Sequence, residues 1–480
     1  MEQVQQNDPV NLESEPWFQS PASERMKSEE EDKPTERKLT SILVLAAMTA
    51  GFGSSFQYGY NVFVINYAAE FIKSFYNETY RWRNHISIDH SLLLFQWGLT
   101  VSFFPVGGMV GSLLVARLAD NCGRKRTLQV NNILAIISAV LMGCSRAVHS
   151  FEFIIFSRLV IGICAGISFS VVPMYLTEIA PENLRGAIAI TGHFFIIFGS
   201  LMARIFGLDK LLGTQEGWPF LLSLTGVPAL FQLIFLPFFP ESPRYLLIQR
   251  HDEKAAREAL VKLRGCDNVE DEIEELHEED LSEELEKDMD IFTMYHFDDI
   301  WNHLVSAVVL MGGQQLTGIN AIRFADSSGH RNLLLSGLGI CSITCVLLAM
   351  AIELQKTIWW MSYVSSSFVT LFLIGQSIGP DPVPVVIVAE LFLQSSRSTA
   401  FMAGGCVHWF CKFVIGVVFL QMEIHIEPYS FLLFWPLCVA ILIYAFKQIP
   451  ETSGQNFLDI RRTEAIRMTR TLLLMQISED

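Results

Sequence analysis

The chain has 480 residues, of which 51% are apolar and 12% aromatic, with a formal charge of −16. Apolar runs of about 20 residues, enough to cross a hydrocarbon slab of about 30 Å, recur along it; this excludes a soluble α/β enzyme and predicts an all-α polytopic membrane protein. The charge is local, since residues 267–290 carry fourteen carboxylates against one base, Lys287, and no basic stripe points to nucleic acid.

Residues 1–40 are polar and acidic and lack the pattern of a cleaved signal, so they are expected to form a cytosolic tail. Six apolar segments follow at 41–66, 92–116, 128–146, 151–175, 187–208 and 217–239, a first helix bundle over 41–239. Arg37 and Lys38 before the first segment, and Arg117, Arg124, Lys125 and Arg126 between the second and third, place the amino terminus inside. That topology puts Asn77-Glu78-Thr79 outside, with Asn77 as a glycosylation acceptor. Residues 240–300 read as a cytosolic acidic insert with helical patterning over 253–264. The later apolar segments lie at 302–322, 333–353, 361–391, 398–420 and 429–449, a second bundle over 301–449 with one segment fewer, and a charged tail occupies 450–480. The nine cysteines are scattered without metal-type spacing and read as packing residues, so neither a metal nor a cofactor is expected.

The split into six and five segments points to a transporter, and two echoes link the halves. Glu178 precedes Arg185 by seven residues after the fourth segment, and Glu390 precedes Arg397 by seven in the later half. With Asp120 and Arg124, these charges sit where helices end. Carboxylates and guanidiniums there can pair across two helix bundles and hold one side shut until the bundles rock apart.

The ordered motifs carry a resemblance. Gln57-Tyr58-Gly59-Tyr60-Asn61, Gly123-Arg124-Lys125, Ser157-Arg158 and Pro173-Met174-Tyr175-Leu176-Thr177-Glu178 stand in the first half. Pro240-Glu241-Ser242-Pro243-Arg244, Gln314-Gln315-Leu316-Thr317-Gly318-Ile319-Asn320-Ala321 and Pro450-Glu451-Thr452 follow. In this order they resemble the facilitative hexose transporters of the major facilitator superfamily, over nearly the whole chain and most like the fructose branch. The resemblance implies a plasma-membrane uniporter that moves fructose, with glucose as a second substrate, by alternating access, and that is not an enzyme. It places substrate contacts on Tyr58, His193, Gln314, Gln315, Asn320, Gln376, His408 and Trp409. A cytosolic gate would use Asp120, Arg124, Arg158, Glu178, Arg185, Glu241, Arg244, Glu390 and Arg397. Gly379-Pro380-Asp381-Pro382-Val383-Pro384 removes three amide donors from a long apolar segment and would form a hinge. Hexose and membrane lipid are the expected partners, and oligomeric state is not legible.

A hexose offers hydroxyls and a weakly apolar ring face, so its site wants amides and aromatics rather than fixed charge. Gln314, Gln315 and Asn320 answer that need. Residues 41–69 hold no Asp or Glu, which predicts transport without proton coupling. Four positions depart from the family pattern: His193 stands for a Gln, Gln376 for a His, Lys412 for an Asn and Arg204 for a Gln. An ammonium at a helix centre costs about 2.5–3.5 kcal/mol, so Lys412 needs water or a partner, with Asp381 the candidate.

The larger departure lies at residues 323–331. Gly329-His330-Arg331 resembles the remnant of the Gly-Arg-Arg that ends the family's eighth span, so that span is expected to be missing. A full crossing by 304–322 would then invert every later helix, whereas a re-entrant segment would keep their orientation. Two alternatives to hexose transport follow. One is a transport-deficient isoform retained in the endoplasmic reticulum. The other is an organic-anion carrier of the urate type, favoured by Arg204 and Lys412.

Overall fold

The computed structural model describes residues 39–284, 298–316 and 330–448, apart from 356, 359, 382, 393 and 427–429. Among them every element is helical. Thr40 caps the first helix by accepting the Leu43 amide at 3.3 Å, and α1 (Ser41–Ala50) runs through a π-helical stretch (Gly51–Ser55) into α2 (Phe56–Tyr67). The polar, aromatic α3 (Ala69–Asn84) follows, and Asp89 caps α4 (His90–Cys122) through the Ser91 amide at 3.1 Å. The first half is completed by α5 (Arg124–Cys144), α6 (Phe151–Ile179), α7 (Arg185–Phe206), α8 (Trp218–Ser223) and α9 (Gly226–Phe235). Two helices of the acidic insert, α10 (Glu253–Arg264) and α11 (Glu270–Glu284), pack on a small apolar core of their own around Leu260 and Ile273.

The second half contains α12 (Asp298–Leu316), α13 (His330–Gln355), α14 (Met361–Ile378), α15 (Val383–Leu391), α16 (Gln394–Ile426) and α17 (Ser430–Gln448). Seven helices among the described residues are long and apolar enough to cross a membrane. Several of the eleven apolar segments read from sequence are not single spanning helices. The first is divided by the π-helical stretch, and the 361–391 segment breaks between Ile378 and Val383, where the prolines withdraw amide donors.

Small residues let the backbones touch. A Cβ at Gly162 of α6 would fall 2.2 Å from the Phe104 carbonyl oxygen of α4, and one at Gly59 of α2 only 1.8 Å from the Ile196 carbonyl oxygen of α7. Association of membrane helices rests on this kind of van der Waals fit, since lipid removes the hydrophobic driving force between them.

Contacts fix the direction of each helix in the second half. The His303 ring near the start of α12 lies 6.3 Å from that of Phe392, just before α16. Ser306 hydrogen-bonds the Tyr444 hydroxyl near the end of α17 at 3.0 Å. Arg331, at the start of α13, donates to the Phe446 carbonyl at 2.7 Å, while Cys345 further along α13 lies beside Cys438. Consecutive helices α12 and α13 therefore both start at the end of the bundle that carries Phe392 and Arg397, and they run parallel. The inverted arrangement does not occur, and the connection at 317–329 lies outside the described residues.

Candidate functional site

Two polar regions join the halves, one at the helix ends and one midway along them. The first begins at Gly123, whose φ of +90° suits only glycine. A Cβ there would sit 2.6 Å from Glu241 Oε2, and the turn brings the Glu241 carboxylate onto the Lys125 and Ser242 amides at 2.9 and 3.0 Å. Burial raises the Glu241 carboxyl above its ordinary range, against the lowering effect of those two donors.

Arg124, the next residue, is wholly buried. Its Nε donates to Glu178 Oε1 at 3.2 Å and lies 2.9 Å from Oε2, and its Nη1 donates to the Ala119 carbonyl and Gln249, each at 3.0 Å. Arg397 of α16 reaches the same Glu178 carboxylate at 3.4 Å and also donates to Gln394 at 2.8 Å and the Phe392 carbonyl at 3.1 Å. One buried carboxylate thus bridges a guanidinium from each half. Ser398 adds a second crossing by donating to Asp120 at 2.6 Å. Arg244 is bound to Glu279 at 2.6 Å and Glu275 at 3.5 Å, which ties the insert helix α11 to this end. Arg185 has Arg244, Glu275, Glu279 and Glu390 as its charged neighbours.

Eight of the nine residues expected at the gate therefore gather here. Arg158 does not. It sits twenty residues before Glu178 on the same helix, about 30 Å away at 1.5 Å per residue. There its guanidinium donates to the Asn61 carbonyl at 3.1 Å and covers the Phe104 ring at 4.4 Å. Gln249 and Ser398 are invisible to a charge-based sequence reading, because neutral partners leave no charge pattern.

Midway along the bundle lies a cavity. The first half lines it with Tyr58, Phe169, His193 and the hydroxyls of Ser55, Ser168 and Ser200, and the second half with Asp381, Val385, Val386 and Lys412. The lining is thus mixed apolar, hydroxyl and ring surface from both halves, the composition that small-molecule sites show. Among the described residues the buried His193 Nε2 has no hydrogen-bond partner.

His408 and Trp409 stand one layer behind the wall. The His408 ring packs 4.2 Å from Phe169, and Trp409 lies edge-on to Tyr58 at 5.7 Å. Trp409 also fills the space above Gly108 of α4, where a Cβ would be 2.2 Å from the indole, and its buried Nε1 has no partner among the described residues. Gln376 is fully buried on the last turns of α14, its carbonyl accepting the Asp381 amide at 3.0 Å.

Lys412 does not pair with Asp381. Its Nζ donates to the Tyr58 hydroxyl at 2.9 Å and lies 5.0 Å from the centroids of both the Tyr58 and Trp409 rings, an arrangement that compensates a buried cation with neutral groups. Arg204 is exposed and covers the Phe63 ring at 5.3 Å, so it brings no charge to the cavity wall. Gln314 and Gln315 fall on the last turn of α12, with side chains outside the described residues, and Asn320 is outside them altogether. Asn77 is half-buried on α3 and accepts the Ile88 amide at 3.2 Å, while Thr79 of the same sequon is buried. No cluster of metal ligands occurs among the described residues.

Two groups of helices that enclose a cavity between them, and that are bridged at one end by buried charge pairs, define a membrane transporter of the major facilitator type. The chain belongs to the sugar transporter family: the family model for "Sugar (and other) transporter" matches residues 46–324 and 321–463. "Solute carrier family 2, facilitated glucose transporter member 5" of Rattus norvegicus is 46% identical over 471 residues, covering 90% of this chain and 94% of the relative. Member 7 of the same group from Homo sapiens is 45% identical over 469 residues, covering 90% and 92%. The fold matches the major facilitator proton:xylose symporter XylE bound to 6-bromo-6-deoxy-D-glucose with a TM-score of 0.75 at 20% identity, covering 88% of this chain and 98% of that one. The inward-open xylose transporter XylE from E. coli matches with a TM-score of 0.65 at 21% identity, covering 88% and 99%. The family is one of carriers, not enzymes.

Proposed function

We propose that the chain is a facilitative hexose uniporter that works by alternating access, with fructose ahead of glucose. The observation that carries this reading is the cavity itself, lined by hydroxyls, imidazole and aromatic rings from both halves and closed at one end by the Glu178 bridge. The relatives named as facilitated glucose transporters support the substrate class. Preference for fructose rests on the sequence wording shared with that branch.

Uniport is supported by Arg158. Intramembrane carboxylates mark proton relays; residues 41–69 hold none, and the guanidinium meets the Asn61 carbonyl and an aromatic face. In this reading Tyr58 and His193 touch sugar, Gln376, His408 and Trp409 shape the wall, and Gln314, Gln315 and Asn320 supply amides. Asp120, Arg124, Glu178, Arg185, Glu241, Arg244, Glu390 and Arg397 form the latch. The division into a tail to 40, bundles at 41–239 and 301–449, an insert at 240–300 and a tail from 450 belongs to the same reading. So do the plasma membrane, the inside amino terminus and a glycan at Asn77. With Thr79 buried, that glycan would have to be added before α3 packs.

A second half that lacks its eighth span is supported by two observations. The family match restarts at 321 after reaching 324. The alignment to the rat relative runs over 471 residues yet uses 90% of a 480-residue chain, so about forty positions there lack a counterpart here, roughly one span of about 20 residues with its loops. Parallel α12 and α13 fit a segment that returns rather than crosses.

Uptake of labelled fructose and glucose by cells without endogenous hexose carriers, normalised to chain at the surface, tests the proposal. Saturable fructose uptake is expected. Surface chain without uptake would reject it and favour the transport-deficient alternative.

A further inference from the structure

Lys412 lies in α16 within a stretch, Ser396–Gly416, that is apolar enough to span a membrane, where an ammonium is strongly disfavoured. It makes no ion pair among the described residues. Its Nζ is held at 2.9 Å by the Tyr58 hydroxyl and at 5.0 Å by the faces of Tyr58 and Trp409. Tyr58 belongs to the first half and Lys412 to the second, and both line the cavity. This hydrogen bond therefore joins the two halves at the wall of the cavity.

The chemistry of the crossing differs from that of the latch. A carboxylate bridging two guanidiniums has no substitute in a neutral ligand. A phenol oxygen accepting one N–H does, because any hexose hydroxyl oxygen accepts equally well. An ammonium carries three donors, of which Tyr58 takes one. The same crossing must lengthen when the halves rock apart, so it resists that motion until something replaces it.

We propose that Lys412 is a sugar-displaced tie between the two halves. It is closed on Tyr58 while the cavity is empty, and it is released when a hexose hydroxyl oxygen takes the phenol's place. The ligand in this proposal rests on the hexose reading; the tie itself does not. A tie that exists only in the empty carrier slows only the empty carrier's return. It limits net flux, which includes that return, and leaves sugar-for-sugar exchange, which bypasses it.

The test uses the full-length protein purified and reconstituted, with Tyr58→Phe, Lys412→Met and the double variant. Zero-trans uptake of fructose is compared with equilibrium exchange at saturating sugar. Lys412→Met is expected to raise the zero-trans rate about fivefold relative to exchange, with the double variant no faster than Lys412→Met. If both rates fall together with their ratio unchanged, the bond does not limit the empty carrier's return and the proposal is overturned. A substrate-independent arm measures the apparent unfolding temperature of the four proteins without sugar. A coupling of about 1–2 °C between the two substitutions is expected, lost on adding fructose, and no coupling would overturn the tie. Coupling in a wild-type protein that neither binds nor carries hexose would uphold the tie and reject the hexose reading.

Discussion

The latch and the cavity are built on the same two helices and solve opposite problems. Along α6, Phe169 faces the cavity and Glu178 the latch; along α16, Lys412 faces the cavity and Arg397 the latch. At the latch, buried charges compensate one another: Glu178 is shared between Arg124 and Arg397, and the second carboxylate, Asp120, is met by Ser398 and Gln249. In the cavity, the one lysine is compensated by a phenol and two rings. Opposed full charges in a dry setting hold a fixed geometry, because removing one partner strands the other. Neutral acceptors around a cation can be exchanged for a ligand's. One arrangement stores a conformation and the other admits a substrate.

Removing the Glu178 carboxylate should break this contrast most strongly. Glu178→Gln leaves two buried guanidiniums without their shared anion and is expected to cost about 3–5 kcal/mol, read as a large fall in apparent unfolding temperature. Arg124→Gln or Arg397→Gln alone should cost less than Glu178→Gln, because Glu178 then keeps one of its two guanidinium partners. An unchanged unfolding temperature in Glu178→Gln would remove the latch from the account.

A smaller effect should follow from Gly123→Ala. The backbone there, at φ +90°, is outside the range of L side chains, and the new methyl would meet the Glu241 carboxylate. About 1–3 kcal/mol is expected, with the hexose KM unchanged, since the cavity lies elsewhere. A shift in KM of similar size would show that the two regions are not separable.

The smallest effect tests the cavity alone. His193 lines it with an unpartnered Nε2. An amide both donates and accepts, so His193→Gln should tighten fructose by about fivefold, the worth of one hydrogen bond, without moving the unfolding temperature. Weaker binding would mean that the imidazole already makes the contact that the amide was expected to supply.

Much of this arrangement was legible in the chain, and the failures share a cause. The membrane character, the helical class and the gathering of charges at helix ends follow from hydropathy and from Glu178, Arg185, Glu390 and Arg397. The echoes name charges that can pair across the two bundles but not which partners meet, and Arg397 bonds Glu178 of the other half at 3.4 Å. Arg158 was drawn into the latch because a motif names a residue without saying which end of a long helix it occupies. Lys412 was matched to Asp381 because charge seeks charge in a sequence, while a folded helix pair can offer aromatic faces and a phenol instead. The direction of α13 depends on contacts with α17 that no local pattern encodes.

The central claim is tested most directly by counterflow in proteoliposomes that hold only this protein. Vesicles loaded with unlabelled fructose and diluted into labelled fructose should accumulate label transiently and saturably. The rate should be the same with and without an imposed proton gradient, because Arg158 faces a carbonyl rather than a carboxylate. Reconstituted, folded protein that gives no counterflow, or counterflow that follows the proton gradient, would contradict the account.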